Sequence, residues 1–275
     1  MKTILLGGRG FLGRALARRL PDALVLGSAE VDLLEPASVE KLRGIASDGD
    51  AVVFLSALTP DKGKDARTAM KNLAIGEHFA AVVEKVKFSH IIHISSDAVY
   101  EDEANPVREA SCASATTLYG LMHLMRERMV LVAAHKTPLL ILRLCTMYGA
   151  GDTHNSYGPN RFLRTALKER QIQLFGEGEE QRDHLYVEDC ARLIELALQQ
   201  RTTGLLNVAT GKSVSFMEVA QEVAAIVGGV AVKGQPRSGS ITHRHFDITT
   251  LLRAFPTFRF TLLREGLAEA AKTIR

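Results

Sequence analysis

The stretch KTILLGGRGFLGRALARRL, from Lys2 to Leu20, decides the fold class. Its apolar run ends in glycines, which predicts a short strand followed by a tight turn. Leucines then recur at every fourth position up to Pro21, which predicts an amphipathic helix that ends there. Gly7, Gly10 and Gly13 stand between the two, in the spacing G-x-x-G-x-x-G. Together these features predict the first βα unit of a layered α/β fold.

The rest of the first half repeats this rhythm of short apolar runs and longer helical patterns. The predicted strands are continuously apolar, so both of their faces should be buried, as in a parallel sheet covered by helices. The sequence therefore predicts a Rossmann-like, doubly wound α/β sheet. The predicted strands cover residues 2–8, 23–28, 50–58, 90–96 and 138–149, and the predicted helices cover residues 11–20, 35–45, 65–86 and 118–135.

The rhythm changes after Gly149, where a loop-rich stretch begins. Residues 171–190 have the pattern of a hairpin followed by a helix start, and residues 187–200 form an amphipathic pattern that can return to the sheet. A smaller C-terminal lobe is therefore expected beside the sheet. The predicted organisation is a Rossmann domain over 1–150, rejoined by about 185–212, and a substrate-binding lobe over most of 151–275.

Composition narrows the class of protein. Of 275 residues, 46% are apolar and 24% are charged, with a formal net charge of +3, which is typical of a soluble globular protein. The densest basic cluster, Arg14, Arg18 and Arg19, has helical spacing and is interpreted as a solvated face rather than a nucleic-acid patch. No apolar run approaches a membrane span. The three cysteines are scattered and odd in number, which predicts no metal site, no disulfide framework and a cytoplasmic location.

The glycine junction also indicates a ligand. Glycines let a pyrophosphate approach the backbone, and the helix that follows offers unpaired N–H groups and the positive end of its dipole. We therefore predict a dinucleotide site here rather than a purely structural turn. The second predicted strand ends at Gly27 and Ser28, with Glu30 a little beyond, so no carboxylate clearly excludes a 2′-phosphate. Arg9 could meet such a phosphate, which favours NADP slightly over NAD.

Three segments near the predicted strand ends, GGRGFLG, VDLLEP and FLSALTP, resemble segments of one family. It is the extended short-chain dehydrogenase/reductases, which include NAD(P)-dependent sugar-nucleotide epimerases, dehydratases and 4-ketoreductases. The resemblance covers nearly the whole chain. It implies cofactor contacts from Gly7, Arg9, Gly10, Phe11, Leu12, Gly13, Asp32, Leu33, Ser56, Ala57 and Asn72.

The same resemblance implies a catalytic pair. In HISSDAVYEDEANPVREAS the hydroxyl that polarises the substrate oxygen maps onto Ser96, and in LYGLMHLMRE the acid/base tyrosine maps onto Tyr119. The family's Tyr-x-x-x-Lys motif departs here, because His123 stands where the lysine would bond the nicotinamide ribose. Asp97 is either a further acid/base group or a plain strand-end acid. Ala98 stands where dehydratases carry a glutamate, which speaks against dehydration.

The histidine changes what is expected of Tyr119. A tyrosine with its ordinary pKa of about 10 is a poor base at neutral pH unless a cation stabilises the phenolate. His123, one helical turn later, is shorter than lysine and mostly neutral at pH 7, so it delivers less charge. Ketone reduction suffers less than oxidation, because it needs a protonated tyrosine. If His123 acts on the site rather than only packing on the helix, activity should depend on pH between about 6 and 8.

Two later stretches resemble the family's substrate-binding segments. FGEGEEQRDHLYVEDCA carries an arginine that contacts the diphosphate of a nucleotide sugar, which maps onto Arg182. PRSGSITHRHFDITTL carries a second, which maps onto Arg237 or, alternatively, Arg244. Asn155 and Asn160 lie in the loop where the family grips sugar and nucleotide.

The resemblance thus implies hydride transfer at the 4-keto or 4-hydroxy carbon of a nucleotide-linked sugar. The short chain favours a 4-ketoreductase over an epimerase. Two alternatives stay open: a catalytically weakened protein of the same fold that binds or senses NAD(P), and a reductase of a non-sugar ketone. A homodimer is expected because dimers are usual in the family, with no nucleic-acid or membrane partner and no metal.

Overall fold

The computed structural model describes residues 2–102, 104–237 and 239–274. Its strands are β1 (Thr3–Leu6), β2 (Leu24–Leu26), β3 (Ala51–Phe54), β4 (His90–Ser96), β5 (Leu139–Leu144), β6 (Thr146–Tyr148), β7 (Gln171–Phe175), β8 (Gln181–Tyr186), β9 (Gly204–Val208), β10 (Ser213–Ser215) and β11 (Ala231–Gln235). Its helices are α1 (Phe11–Arg19), α2 (Ser38–Ile45), α3 (Ala66–Val83), α4 (Leu118–Ala134), α5 (Pro159–Glu169), α6 (Val187–Gln200), α7 (Phe216–Val227), α8 (Thr249–Ala254) and α9 (Leu263–Thr273), and a 3-10 turn covers Asp97–Val99.

The chain divides into two compact units. The first spans Met1–Glu101, Cys112–Leu144 and Cys190–Asn207, and the second spans Asp102–Ser111, Cys145–Asp189 and Val208–Arg275. The sheet-bearing unit was predicted to run to residue 150 and to be rejoined by about 185–212. The observed division falls at Cys145, the observed return is 190–207, and the excursion of 102–111 into the second unit has no counterpart in the predicted organisation.

The first unit contains a six-stranded sheet in the order β2-β1-β3-β4-β5-β9. β1 pairs in parallel with β2 and β3, β3 with β4, and β4 with β5. The predicted doubly wound α/β sheet is therefore confirmed. The strand order reverses at β1 and β3, and sheets of this kind bind ligands outside the carboxyl ends of the strands at such a reversal.

Apolar helix faces cover this sheet. Leu12 and Leu16 of α1 are buried, and Phe79 of α3 stacks on Phe54 of β3 with 4.0 Å between ring centroids. Burying each such side chain stabilises the fold by about 2 kcal/mol. Thr117 fixes the start of α4, because its side-chain oxygen accepts the Gly120 N–H at 3.1 Å. This cap sets the position of the first turn of α4.

The predicted fifth strand, residues 138–149, is in fact two strands. β5 belongs to the six-stranded sheet, whereas β6 pairs in parallel with β8 in a separate sheet of order β10-β8-β6. Cys145 lies between them, and its N–H donates to the Val208 carbonyl at 3.1 Å. The apolar run is continuous because both strands are buried, so hydropathy alone does not mark the change of sheet.

The hairpin predicted within residues 171–190 is also corrected. Its two strands, β7 and β8, do not pair with each other: β7 pairs in parallel with β11, and β8 pairs with β10 and β6. The intervening loop has Gly176 and Gly178 at positive φ, a turn chemistry that resembles that of a hairpin. Partners distant in sequence decide the pairing instead. The buried apolar faces of α5, α7 and α9 form the core of this second unit.

Candidate active site

The glycine turn after β1 is tightly packed. Gly7 adopts φ +86°, and a Cβ on it would lie 2.7 Å from the Ser56 N atom at the end of β3. A Cβ on Gly13 would lie 2.5 Å from the Cα of Gly8. These two positions therefore require glycine, because any side chain would meet backbone atoms. The turn lies at the β1 and β3 strand ends, where the sheet order reverses.

The amino end of α1 is open to an anion. It begins after Gly10, with no capping side chain among the described residues and no acid in its first turn. Its first helical hydrogen bond runs from Arg14 N to Gly10 O at 2.9 Å, so the N–H groups of residues 11–13 have no partner within the helix. A Cβ on Gly10 would meet only the Gly7 carbonyl oxygen, at 3.3 Å. The turn therefore fits the diphosphate of a dinucleotide, with Phe11 and Leu12 completing the first turn.

The end of β2 carries a carboxylate after all. Glu30 Oε2 accepts the Gly27 N–H at 2.8 Å, which brings this acid back to the strand end. Arg9 donates to both Glu30 oxygens, at 2.9 and 2.5 Å, so the arginine predicted to meet a 2′-phosphate is engaged by Glu30. Glu30 lies a little beyond the strand end in the sequence, and the spacing of residues does not reveal that the 27–30 turn folds back.

The remaining predicted cofactor residues divide into exposed and structural groups. Asp32 is exposed and accepts the Leu34 N–H at 3.0 Å, while Leu33 is buried in the core. Ser56 and Ala57 are partly buried just after β3. Asn72, also predicted to contact the cofactor, is buried in α3. Its amide bonds both the N–H and the carbonyl of Leu58, at 2.8 and 2.9 Å, so it holds the loop after β3.

The predicted catalytic pair comes together in the first unit. Ser96 ends β4, and its side chain lies close enough to the Tyr119 phenol to influence the pKa of that phenol. Burial raises the pKa of Tyr119 to about 12, and the Asp97 carboxylate adds to the rise, while Arg126 and the Ser96 hydrogen bond oppose it. Tyr119 is therefore protonated at neutral pH. This state suits proton donation to a carbonyl oxygen that is being reduced.

A glycine allows this approach. Gly120 follows Tyr119 in α4, and a Cβ there would lie 1.9 Å from the Ala98 carbonyl oxygen and 2.7 Å from the Ala115 Cβ. Ala98 belongs to the 3-10 turn directly after Ser96. The bare Cα of Gly120 thus lets the first turn of α4 rest on that turn, which brings the phenol to the serine.

His123 lies beneath Tyr119 rather than at the surface. Its ring meets the Tyr119 ring edge-on at 4.6 Å, and its residue is 3% exposed. Neither ring nitrogen has a hydrogen-bond partner in the described chain. Burial, with the charge of Arg126, holds the pKa of His123 well below its usual range, so the ring stays neutral between pH 6 and 8. The pH dependence expected from its titration in that range is corrected on this ground.

A second buried network fixes α4 against the sheet. Ser95 donates to the Glu127 carboxylate at 2.5 Å, and Arg143 donates to both Glu127 oxygens at 2.9 and 2.6 Å. The Arg143 guanidinium lies over the Tyr100 ring, 4.8 Å from its centroid. This network joins the helix that carries Tyr119 to the strand that carries Ser96. Glu127 lies eight residues after the tyrosine, but no motif in the sequence marks it as a buried partner of Arg143.

In the second unit, the two predicted phosphate-binding arginines converge. Arg182 Nη2 and Arg237 Nη1 each lie 2.6 Å from the carboxylate of Glu180, one on each oxygen. Arg237 also lies 3.8 Å from Glu179. Two guanidinium groups on one carboxylate form a pair that can hold an anion with two oxygens. Glu180 was missed because acids in this loop read as ordinary solvated residues.

The other substrate candidates do not join this pair. Arg244, the alternative to Arg237, is buried and donates to Asp102 at 3.0 Å. Asn160 is buried and bonds Asp152 at 2.7 Å and the Gly149 N–H at 3.1 Å, so it holds its own loop. Asn155 is exposed and accepts from Arg164 at 2.9 Å. In the described residues no group of three or more His, Cys, Asp or Glu side chains is arranged to hold a metal ion.

Comparison with known proteins identifies the relatives of this chain. Residues 3–209 match the family model described as the NAD dependent epimerase/dehydratase family. The dTDP-L-rhamnose 4-epimerase of Burkholderia thailandensis is 32% identical over 146 residues, which is 50% of this chain and 40% of that protein. The chain thus matches less than two thirds of that relative's length.

Solved structures share the whole fold. The UDP-glucose 4-epimerase of Thermus thermophilus in complex with NAD is 21% identical, with a TM-score of 0.83 over 100% of this chain and 99% of the other. The structure of RMD from Pseudomonas aeruginosa complexed with NADPH is also 21% identical, with a TM-score of 0.87 over 100% and 99%. At this identity the likeness shows the fold alone.

Proposed function

The chain belongs to the NAD dependent epimerase/dehydratase family, and from that premise we propose that it is an NAD(P)-dependent oxidoreductase of a nucleotide-linked sugar, acting at the 4-keto carbon. The observation that carries the proposal is the buried, protonated Tyr119 phenol, which lies near Ser96 in the same unit as the glycine turn. The bound nicotinamide would supply the hydride. The Ser96 hydroxyl polarises the carbonyl and Tyr119 gives its proton to the oxygen.

Reduction fits these residues better than epimerisation. An epimerase must also oxidise the alcohol, which requires the phenolate, and the raised pKa of Tyr119 makes that form scarce at neutral pH. A reductase exchanges its cofactor at each turnover, whereas an epimerase retains it. We expect the purified protein to exchange bound dinucleotide freely. Dinucleotide that survives extensive dialysis would contradict a simple reductase.

The substrate class rests on Arg182 and Arg237. In the substrate-free protein the Glu180 carboxylate bridges them, and a diphosphate would take its place. Because Glu180 already pairs with both arginines, the site does not require a charged substrate, and an uncharged ketone stays open as the alternative. Thermal-shift screening with UDP-, dTDP-, GDP- and CDP-sugars separates the two. We expect nucleotide sugars of one of these four bases to stabilise the protein. Arg182→Met should weaken the binding of that nucleotide sugar about tenfold or more, without changing the affinity for NAD(P).

The matched control is Arg264→Met, since Arg264 is an exposed arginine of α9 in the same unit. Its removal should leave sugar-nucleotide binding unchanged. Turnover of the stabilising sugar then tests the reaction itself. Should no nucleotide sugar bind or react, while NAD(P) still binds, the binding or sensing alternative would gain and the enzyme proposal would fail.

Cofactor preference follows from Glu30, and we favour NAD over NADP on this point. A carboxylate at the end of β2 can accept from ribose hydroxyls and repels a 2′-phosphate. Glu30→Gln should therefore shift the ratio of NADP to NAD affinity upward by about tenfold or more. Calorimetric titration with both dinucleotides measures this ratio. The control, Glu35→Gln, removes a nearby exposed acid and should leave the affinity ratio unchanged. If Glu30→Gln also left the ratio unchanged, Glu30 would not set the cofactor preference, and the slight preference for NADP would stand.

A homodimer is proposed through α4, whose outer face is apolar. Leu118, Leu121, Met125 and Val132 are spaced three, four and seven residues apart and are 46–69% exposed. Such a stripe fits the same stripe of a second copy. Sedimentation equilibrium tests this proposal, and a monomer at micromolar concentration would contradict it.

No helix in the described ranges could span a membrane. A cytoplasmic location is proposed from the three free cysteines, and cell fractionation would test it.

A further inference from the structure

Arg126 is a buried cation without a carboxylate partner. It lies in α4, is 0% exposed, and has no acid within ion-pair distance anywhere in residues 2–102, 104–237 and 239–274. One guanidinium nitrogen donates to the Ser56 carbonyl oxygen, while Nε and Nη1 have no hydrogen-bond partner within the described part of the chain. A buried charge destabilises a fold unless something compensates it, and an apolar side chain of similar volume would usually do better here.

The surroundings are built to accept this side chain. A Cβ on Gly76 of α3 would lie 2.8 Å from the Arg126 Cγ, so the glycine leaves space for the arginine stem. The guanidinium lies over the Phe54 ring, 4.8 Å from its centroid. The ring quadrupole attracts a cation over its face, and the attraction is stronger when the cation is desolvated. The group it bonds, the Ser56 carbonyl, stands at the end of β3 beside the glycine turn.

Helix geometry directs the charge toward Tyr119. Arg126 follows Tyr119 by seven residues, almost two full turns, so the two lie on one face of α4 with His123 between them. Helical side chains point back toward the amino end, which carries a long arginine toward the tyrosine. Neutral His123 cannot supply charge itself. The groups that act on the Tyr119 phenol include Ser96, Asp97, Asp61 and Arg126. The charge of Arg126 also acts on the buried rings of His93 and His123.

We infer that Arg126 is a positioning residue that supplies, from inside the protein, the positive charge that stabilises the Tyr119 phenolate left after proton donation. The two groups influence each other's ionisation: Arg126 lowers the pKa of Tyr119, and Tyr119 raises the pKa of Arg126 against the lowering that burial causes. Arg126 thus remains charged at neutral pH. This inference rests on the proposed role of Tyr119 as acid/base. It explains how a neutral histidine is tolerated one turn after the tyrosine.

The test measures Tyr119 ionisation without substrate or cofactor. The protein is labelled with 3-fluorotyrosine, whose phenol is more acidic than that of tyrosine, and the Tyr119 signal is assigned by its loss in Tyr119→Phe. Arg126→Met keeps the stem and removes the charge. We expect it to raise the midpoint by about one pH unit, and Arg126→Lys to keep most of the native value. The double variant His123→Lys/Arg126→Met, which moves the charge to the first turn, should bring the midpoint back.

The matched control is Arg128→Met, which removes a charge from the exposed side of the same helix and should leave the midpoint unchanged. If Arg126→Met does not fold, Arg126→Gln, which retains a donor for the Ser56 carbonyl, replaces it. An unmoved midpoint in a folded, uncharged variant would overturn the inference. Because the titration needs no turnover, failure to find a nucleotide-sugar substrate would refute the proposed function and leave this result interpretable.

Discussion

Tyr119→Phe should lower kcat about 10³-fold while leaving the folded protein and its NAD(P) affinity nearly intact. The substitution removes only the phenolic oxygen, which is the proton donor, and proton transfer by a positioned side chain contributes about 10²–10⁴-fold. Single-turnover kinetics with the sugar nucleotide identified by binding measures the chemical step. Thermal melting reports whether the variant is still folded.

The pH dependence of the native protein's activity is a second test of the role of Tyr119. Since the pKa of Tyr119 is raised to about 12, reduction should be insensitive to pH between 7 and 9, whereas oxidation of the product alcohol should accelerate as the phenolate fraction grows.

Tyr100→Phe is the control for Tyr119→Phe. The Tyr100 hydroxyl donates to Asn207 at 2.7 Å in the interior, so its loss should lower the melting temperature and spare the chemical step. A Tyr119→Phe enzyme with near-native kcat would remove Tyr119 from the mechanism.

Gly120→Ala should be nearly as damaging to catalysis, through position rather than chemistry. The new Cβ would lie 1.9 Å from the Ala98 carbonyl oxygen. Because the Cβ is fixed to the backbone of α4 and the oxygen belongs to the backbone of the 3-10 turn, α4 must move away from the turn after Ser96. A displacement of about 1 Å between reacting groups costs about 10²-fold in rate. We also expect a loss of about 1–3 kcal/mol in the free energy of unfolding, as for overpacked cores.

Gly44→Ala is the matched control for this prediction. Gly44 is also helical, in α2, and a Cβ there meets nothing within 4 Å. Alanine in an open helical position should be neutral or stabilise by about 0.5–1 kcal/mol. Denaturant unfolding and kcat of both variants check the pair. If Gly120→Ala behaved like Gly44→Ala, the close approach of α4 to the 3-10 turn would not matter for the site.

Most of the fold could be read from local sequence patterns. Each of the four predicted helices of the first half is present, because apolar spacing of 3.6 residues, caps and Pro21 act within a few residues of one another. The glycine turn is likewise local. Strand pairing is not, which is why the split at Cys145 and the separate partners of β7 and β8 were missed.

The candidate site shows the same division. The sequence by itself determined the α/β class and the glycine turn after β1, since both follow from patterns contained in single segments, and the family resemblance implied the pair of Ser96 and Tyr119. Only the tertiary structure decided that Glu30 folds back to β2, that Glu180 joins two arginines and that Arg126 reaches the Ser56 carbonyl, 70 residues away in the chain. Partners of long charged side chains depend on how distant elements pack, because their flexible stems give no periodic signal.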